Sequence, residues 1–466
     1  MINMIIDVLV AEIGSTTTIV NAFTVFSDKP RFINRGISGT TVGTDVNIGL
    51  DLAIEDLKTN MGIDILTYKE MFATSSAAGG LKMTVHGLVY EMTVKASKEA
   101  ALNAGANIHL VTANKIIDDD LEQILKIKPN IILIAGGTDY GERKNAQYNA
   151  NQILKLNLKI PIIYAGNIEN HSYMKKLFAE YDSVNLLKIV ENVYPRVDYM
   201  NILPLRKVIY QTFEENIIHA KGMNRIFDKV NQRIMPTPGS VMEATMMLNE
   251  RIGNIITIDV GGATTDIHSI SEPSEEYEKY QEGESKLKRT VEGDLGVFIN
   301  HKNVISLFDK EKLLQKLNIS SLKLDEVLVE YKYIPVTDIQ KDLVDILTSK
   351  CTTEALDRHI GDLKRVFTTN GQKIIPDGKD LTKVEFIILT GGALLHHSSP
   401  ELMIKQYLSN STTKLTPKEN ITILKDSDYV MASVGVLSLK YQKEAYQILK
   451  NSLKIGDEYD VAKTNN

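Results

Sequence analysis

Two short segments, half a chain apart, set out the same sequence of functional groups. Near the start stands Glu12-Ile13-Gly14-Ser15-Thr16-Thr17-Thr18, and far along the chain comes Asp259-Val260-Gly261-Gly262-Ala263-Thr264-Thr265-Asp266. Each places a carboxylate, then glycine, then hydroxyls, at the end of an apolar run. Polyphosphate chemistry calls for this combination. Glycine lets main-chain N–H groups come close to phosphate oxygens and takes the positive φ of a tight turn. The hydroxyls add donors, and the carboxylates can hold hydrated Mg²⁺, a cation that keeps several of its waters. Gly14, Ser15, Thr16, Thr17, Gly261, Gly262 and Ala263 are therefore candidate phosphate-binding residues. Glu12, Asp259, Thr264 and Asp266 are candidate catalytic residues, with Glu12 and Asp259 holding metal through water. A third segment, Leu389-Thr390-Gly391-Gly392-Ala393, ends an apolar run in paired glycines. It suits the flat face of adenine and ribose, where side chains would intrude. Either loop alone reads equally well as a hairpin turn, since Gly and Thr are frequent there. The three together point to a nucleotide.

The surrounding elements must present these loops. The 466 residues exceed one ordinary core, so two or more domains are expected. Ile5 to Ile13, Thr18 to Phe26 and Phe32 to Ile37 are β-branched or aromatic runs with short breaks, which favours antiparallel pairing. From Asn47 the pattern alternates, with helices at Asn47–Met61 and Lys95–Gly105 and a strand at Glu70–Ser75. Strands at Asn107–Thr112, Ile131–Ala135, Ile160–Ala165 and Val184–Ile189, separated by helices, predict a parallel, doubly covered sheet. The β program then restarts at Ile255–Asp259 and Thr265–Ile270. Ser271–Lys286 reads as an exposed hairpin loop, 303–370 as mostly helical, Phe386–Thr390 as a strand and Val430–Leu449 as a helix.

Composition narrows the functions. Charged residues make up 24% of the chain, with 53 basic against 59 acidic side chains and a net charge of -6. Nucleic acid is not expected as a partner, because that binding needs clustered Lys and Arg. The single Cys351 excludes an intrachain disulfide and suits a reducing compartment. MINMIIDVLVAEIG carries Asp7 and Glu12 and reads as a buried strand rather than a leader, and no membrane span is expected. The expected location is the cytoplasm.

The order of motifs resembles the actin, sugar kinase and Hsp70 superfamily. That resemblance implies an α/β fold of two ribonuclease H-like lobes around a nucleotide cleft, with ATP and Mg²⁺ as cofactors. Glu12–Thr17 is similar to the first phosphate motif, Asp259–Asp266 to the second, and Thr390–Ala393 to the adenosine motif. Ala432-Ser433-Val434-Gly435 is similar to the second interlobe connection, which adds Gly435 to the nucleotide-binding set. The implied boundaries are a first lobe at 1–235 with an αβ insertion at about 107–190, a second lobe at 236–429, and a returning C-terminal helix and tail at 430–466. Two departures bear on rate. The first phosphate motif begins with Glu12 instead of Asp, and Met235-Pro236-Thr237 stands where the chaperone branch has Glu-Pro-Thr. The carboxylate that orients attacking water is then missing, unless Glu243 on the same helix supplies it.

Longer strings resemble one branch more closely. Ala73–Met83, Ile134–Gly141 and Arg289–Gly296, together with the phosphate loops, are similar to the accessory proteins of coenzyme B12-dependent glutamate mutase, the MutL or GlmL type. The resemblance implies a slow, Mg-dependent ATPase acting as a reactivating chaperone, with mutase subunits as partners and room for a homodimer. In such a role ATP would drive release of damaged cobalamin. The insertion then serves partner binding, or merely enlarges the core. A small-molecule kinase and an actin-like assembly protein are the alternatives on the same fold. Asp357-Arg358-His359-Ile360-Gly361 approximates a cobalamin-ligand loop but is one residue short and helical in pattern. His396-His397 has no metal-ligand spacing beside it and reads as a helix N-terminal pair. Gly136-Gly137-Thr138-Asp139 is a further candidate anion loop.

Overall fold

A computed structural model describes residues 2–456, except 15, 42–44, 77–80, 218–225, 228, 231–233, 282–283 and 369–370. Ser15 and positions 77–80 of the long glycine-containing string therefore lie outside the described residues. The chain divides into two compact units. The first comprises Met1–Phe26, Ile33–Met242 and Gly435–Leu437; the second comprises Ser27–Phe32, Glu243–Val434 and Ser438–Asn466.

The first unit begins with β1 (Asn3–Ile13), β2 (Thr17–Thr24), β3 (Arg31–Gly39) and β4 (Ile65–Ser75). Helix α1 (Val46–Met61) joins the last two. Its start is capped by Asp45, whose carboxylate accepts from the Asn47 N–H, and its end by Gly62 at φ +65. A Cβ on Gly36 would come within 1.9 Å of the Ala53 carbonyl oxygen, so β3 packs on α1 only through a glycine. β1 runs antiparallel to β2 and parallel to β4. It is covered on both faces, which is why Val8 to Ala11 read as an unbroken apolar run.

A second sheet then interrupts the first. It contains β5 (Leu81–Gly87), β6 (Ala106–Ala113), β7 (Ile131–Ile134), β8 (Ile162–Tyr164) and β9 (Leu187–Ile189). All pairings are parallel and the order is β6-β5-β7-β8-β9. Helices α2 (Lys95–Asn103), α3 (Asp118–Ile127), α4 (Lys144–Lys155) and α5 (His171–Glu180) form the crossovers. This is a doubly wound arrangement. The sheet reaches back to Leu81 rather than 107, because β5 reads LKMTVHG and has no apolar run to announce it. After α6 (Ile202–Ile217), strand β10 (Ile234–Pro236) returns to the first sheet and completes the order β10-β4-β1-β2-β3.

The second unit follows α7 (Thr237–Ile252). Its strands are β11 (Ile255–Val260), β12 (Thr265–Ile270), β13 (Leu287–Glu292), β14 (Asp362–Thr368), β15 (Gly371–Asp377), β16 (Phe386–Thr390) and β17 (Thr422–Lys425). The main sheet has the order β13-β12-β11-β16-β17, with the first three strands antiparallel and the rest parallel. Both units thus carry the same third-second-first-fourth-fifth order. The protein is an α/β fold with two ribonuclease H-like sheets and a parallel αβ insertion in the first unit.

Between β13 and β14 lie α8 (His301–Ser306), α9 (Lys310–Leu317), α10 (Ser321–Val329) and α11 (Asp338–His359). Leu343, Leu347 and Cys351 of α11 are buried in one core with Ile256, Ile258 and Ile267 of the sheet. The helical expectation fails at 362–368, which is β14 and forms an antiparallel ribbon with β15. Ser271–Lys286 is not a free hairpin loop either. The buried Lys379 ammonium donates to the carbonyls of Ser271, Ser285 and Lys286, and Asp380 accepts from the Ser274 N–H and hydroxyl. The rest of the unit is α12 (Gly392–His396), α13 (Pro400–Asn410), α14 (Met431–Ser438) and α15 (Gln442–Leu453), the last two replacing the single helix expected at 430–449.

His86 marks the cost of burying a base in the insertion. Its ring nitrogens meet Thr112 Oγ1 at 2.8 Å and Thr84 Oγ1 at 3.0 Å, and burial lowers its pKa from 6.5 to about 3. The imidazole is neutral when folded and titrates normally when unfolded. Its contribution to stability is therefore intact above pH 6.5 and is lost as pH falls toward about 3. The loss is about 1.4 kcal/mol per pH unit. Denaturant unfolding between pH 7 and 4 should show a shallower acid decline in His86→Gln than in wild type; equal slopes would contradict the assignment.

Candidate nucleotide site

The two expected phosphate loops are the β1–β2 and β11–β12 turns, and they match residue for residue. In the first, Ile13 pairs with Thr18 and the Gly14 N–H donates to the Thr17 carbonyl at 2.9 Å. In the second, Val260 pairs with Thr265 and the Gly261 N–H donates to the Thr264 carbonyl, also at 2.9 Å. Glu12 and Asp259 hold equivalent positions at the base of their turns, opposite Ile19 and Asp266. The match extends sideways, since the parallel neighbour places Thr74 beside Glu12 and Thr390 beside Asp259.

The carboxylates differ in surroundings. Glu12 is buried and accepts from the Asn21 amide at 3.2 Å. Asp259 is half-buried, as are Gly261 to Thr264. Asp266 is committed. Its Oδ1 accepts from the fully buried Arg289 guanidinium through Nε at 3.0 Å and Nη2 at 2.5 Å, and its Oδ2 accepts from the Thr264 hydroxyl at 3.0 Å. A carboxylate so held anchors the Thr264 hydroxyl. Arg289 enters the sequence analysis only as the first residue of the Arg289–Gly296 string, with no role assigned to it.

The adenosine segment abuts the second loop. Gly391 has φ +87, and a Cβ there would lie 2.4 Å from Asp259 Oδ1 and 2.6 Å from the Val260 N. Gly392 opens α12 and has open space where its Cβ would be, and Ala393 is buried behind it. The Thr390 hydroxyl points inward and donates to Asp426 Oδ2 at 3.0 Å. Asp426 is the residue that sequence reasoning missed. It is fully buried and also accepts from the Ser452 hydroxyl at 2.7 Å and from the N–H groups of Val430 and Met431. Burial raises its pKa, against the lowering effect of these hydrogen bonds. The signal was available: Asp-Ser-Asp before an apolar stretch is a helix N-terminal pattern.

Gly435 lies within α14, where a Cβ would come within 1.8 Å of the Ser240 carbonyl oxygen of α7. Its glycine identity is thus explained by helix contact. Met235 sits in β10 opposite Thr74, two strands from Glu12, and is buried. Glu12, Gly14, Thr16, Thr17 and Gly435 belong to the first unit; Asp259 to Asp266 and Thr390 to Ala393 belong to the second.

Three other segments have structural partners. The N–H groups of Asp139, Tyr140 and Gly141, at the end of the Gly136-Gly137 turn, donate to Pro195 O, Asn167 Oδ1 and Thr138 O. His359 is buried between Ser269 Oγ and Thr290 Oγ1, and Asp357 accepts from Tyr407. His397 caps the C-terminus of α12, not an N-terminus, and bonds Ser349 Oγ and the Ser399 N–H.

Two ribonuclease H-like sheets with matched glycine turns define the class of actin, sugar kinase and Hsp70 folds. A sequence profile described as MutL protein matches residues 8–453. Protein MutL of Clostridium tetanomorphum is 32% identical over 464 residues, covering 96% of this chain and 98% of that one. The chain belongs to the MutL family. Among solved structures, a nucleotide-free acetone carboxylase aligns with 93% of this chain and 70% of its own at 12% identity and a TM-score of 0.41. A glycerol dehydratase reactivase aligns with 93% and 100% at 11% identity and a TM-score of 0.33. No helix among the described residues is long and apolar enough to cross a membrane.

Gly391→Ala tests the packing of the adenosine turn on the second loop. It adds a Cβ against backbone at a left-handed φ, and the expected loss is about 2 kcal/mol or more. Chemical denaturation that leaves Gly391→Ala as stable as wild type would contradict this packing.

Proposed function

We propose that this chain binds MgATP through the two matched turns and works as an ATP-gated accessory protein of coenzyme B12-dependent glutamate mutase, promoting release of damaged cobalamin. The observation that carries the nucleotide reading is the residue-for-residue match of the two turns, each with a carboxylate at its base. Gly14, Thr16 and Thr17 of one turn, with Gly261, Gly262 and Ala263 of the other, supply donors for phosphate oxygens. Thr390 to Ala393 receive the adenosine. The oxygen donors of Glu12 and Asp259 suit a hard cation, and Mg²⁺ bound through water would screen phosphate charge there. Membership of the MutL family supports the mutase as partner.

Hydrolysis is slow in this account. Met235 stands beside Thr74 where a water-orienting carboxylate would serve, and Asp266 is held by Arg289 and Thr264. That engagement also weakens the kinase alternative, because both oxygens of Asp266, one of the candidate catalytic carboxylates, already accept hydrogen bonds. A gate needs only different partner affinities in the ATP and ADP states, since a ligand shifts an equilibrium by its differential binding.

Purified chain should bind ATP in a Mg²⁺-dependent manner by calorimetry, and Asp259→Ala should weaken that binding about tenfold or more. With ATP and free adenosylcobalamin, wild type should restore glutamate mutase blocked by cyanocobalamin, and Asp259→Ala should not. Tight ATP binding without restored mutase activity would remove the partner and keep the nucleotide site.

A further inference from the structure

The second phosphate turn is held from behind by the segment that follows β13. The Val297 N–H donates to the Gly261 carbonyl at 3.3 Å. The N–H groups of Phe298 and Ile299 both donate to the Gly262 carbonyl, at 2.8 and 2.7 Å. The Asn300 side-chain amide donates to the Ala263 carbonyl at 2.7 Å and to the Gly293 carbonyl at 2.8 Å. Three consecutive carbonyls of the turn are thus fixed by one short stretch. Gly296 lets it approach, because a Cβ there would lie 2.3 Å from the Ala263 carbonyl.

In a trans peptide the N–H points opposite to the carbonyl of the same plane, and no peptide bond here is cis. Fixing the carbonyls of Gly261, Gly262 and Ala263 toward the brace therefore turns the N–H groups of Gly262, Ala263 and Thr264 to the other side. Successive N–H groups turned one way make an anion-binding concavity. The brace is itself anchored. Arg358 bonds Glu292 at 2.6 Å and Asp294 at 2.7 Å, the Thr265 hydroxyl donates to the Leu295 carbonyl at 2.7 Å, and the Tyr331 hydroxyl donates to the Val297 carbonyl at 2.8 Å.

We propose that Asn300 is a positioning residue for phosphate binding, setting the peptide planes of the second turn before any ligand arrives. Backbone donors fix the first two carbonyls; the third, which orients the Thr264 N–H, depends on this one side chain. The inference rests on the nucleotide reading above. Asn300 contacts neither phosphate nor metal in this role, so its loss should affect the polyphosphate part of the ligand alone.

The test is calorimetric titration of wild type, Asn300→Ala and Asn300→Ser with MgATP, magnesium tripolyphosphate and adenosine. Asn300→Ala should bind ATP and tripolyphosphate about tenfold more weakly, as loss of one such hydrogen bond would give. Adenosine binding should be unchanged, and Asn300→Ser, which keeps a shorter donor, should fall between. A variant that binds all three ligands like wild type overturns the proposal. So does one that loses adenosine in equal proportion, which would mark general loosening of the unit. If wild-type protein binds neither ATP nor tripolyphosphate, the nucleotide reading fails and the proposal fails with it. Wild-type binding with an unaltered Asn300→Ala overturns the brace alone.

Discussion

A peptide plane couples where a carbonyl points to where the next amide points, and the site depends on that coupling. In the second turn, four donors from Val297 to Asn300 take up three successive carbonyls. The amides are thereby set without any contribution from ligand. Pre-set donors matter because ordering a loop on binding would cost about 1–2 kcal/mol per residue. The same economy appears at Gly391, where a missing Cβ lets the adenosine turn lie against Asp259 and Val260. The catalytic-looking residues are few, and much of the local sequence serves to hold backbone in place.

Buried charge does similar work in the second unit. Arg289 and Asp266 are both shielded from water, and removal of either would leave the other uncompensated. Their pairing fixes the Thr264 hydroxyl. Asp426 gathers the adenosine-motif Thr390, the start of α14 and Ser452 of α15 around one carboxylate. Thr390 and the start of α14 thus share one buried carboxylate.

The loops were legible in the sequence because their chemistry is local: carboxylate, glycine and hydroxyl within eight residues at the end of an apolar strand. The antiparallel start of the first unit and the parallel insertion sheet follow from those same runs and their short or long connections. By contrast β10, β13 and β17, which complete the two main sheets, are too short or too polar to stand out. The supports were not legible. Asn300 lies 37 residues from Ala263, and Arg289 lies 23 from Asp266, so only the folded chain shows either pairing. β5 escaped notice because LKMTVHG has the polar content of a loop, although its parallel neighbours bury it. β14 (362–368) falls within the stretch read as helix because it follows twenty-two helical residues without a glycine until Gly361. Asp266 is legible as a residue type within its motif, but its pairing with Arg289 and Thr264 is visible only in the folded chain.

The central claim is that phosphate is bound by main-chain amides of the turn at 261–264. Hydrogen–deuterium exchange reads those amides directly. The peptide spanning Asp259 to Asp266 should exchange more slowly when a non-hydrolysable MgATP analogue is added, and should not change with adenosine. Protection confined to other segments, with this turn exchanging as before, would contradict the account.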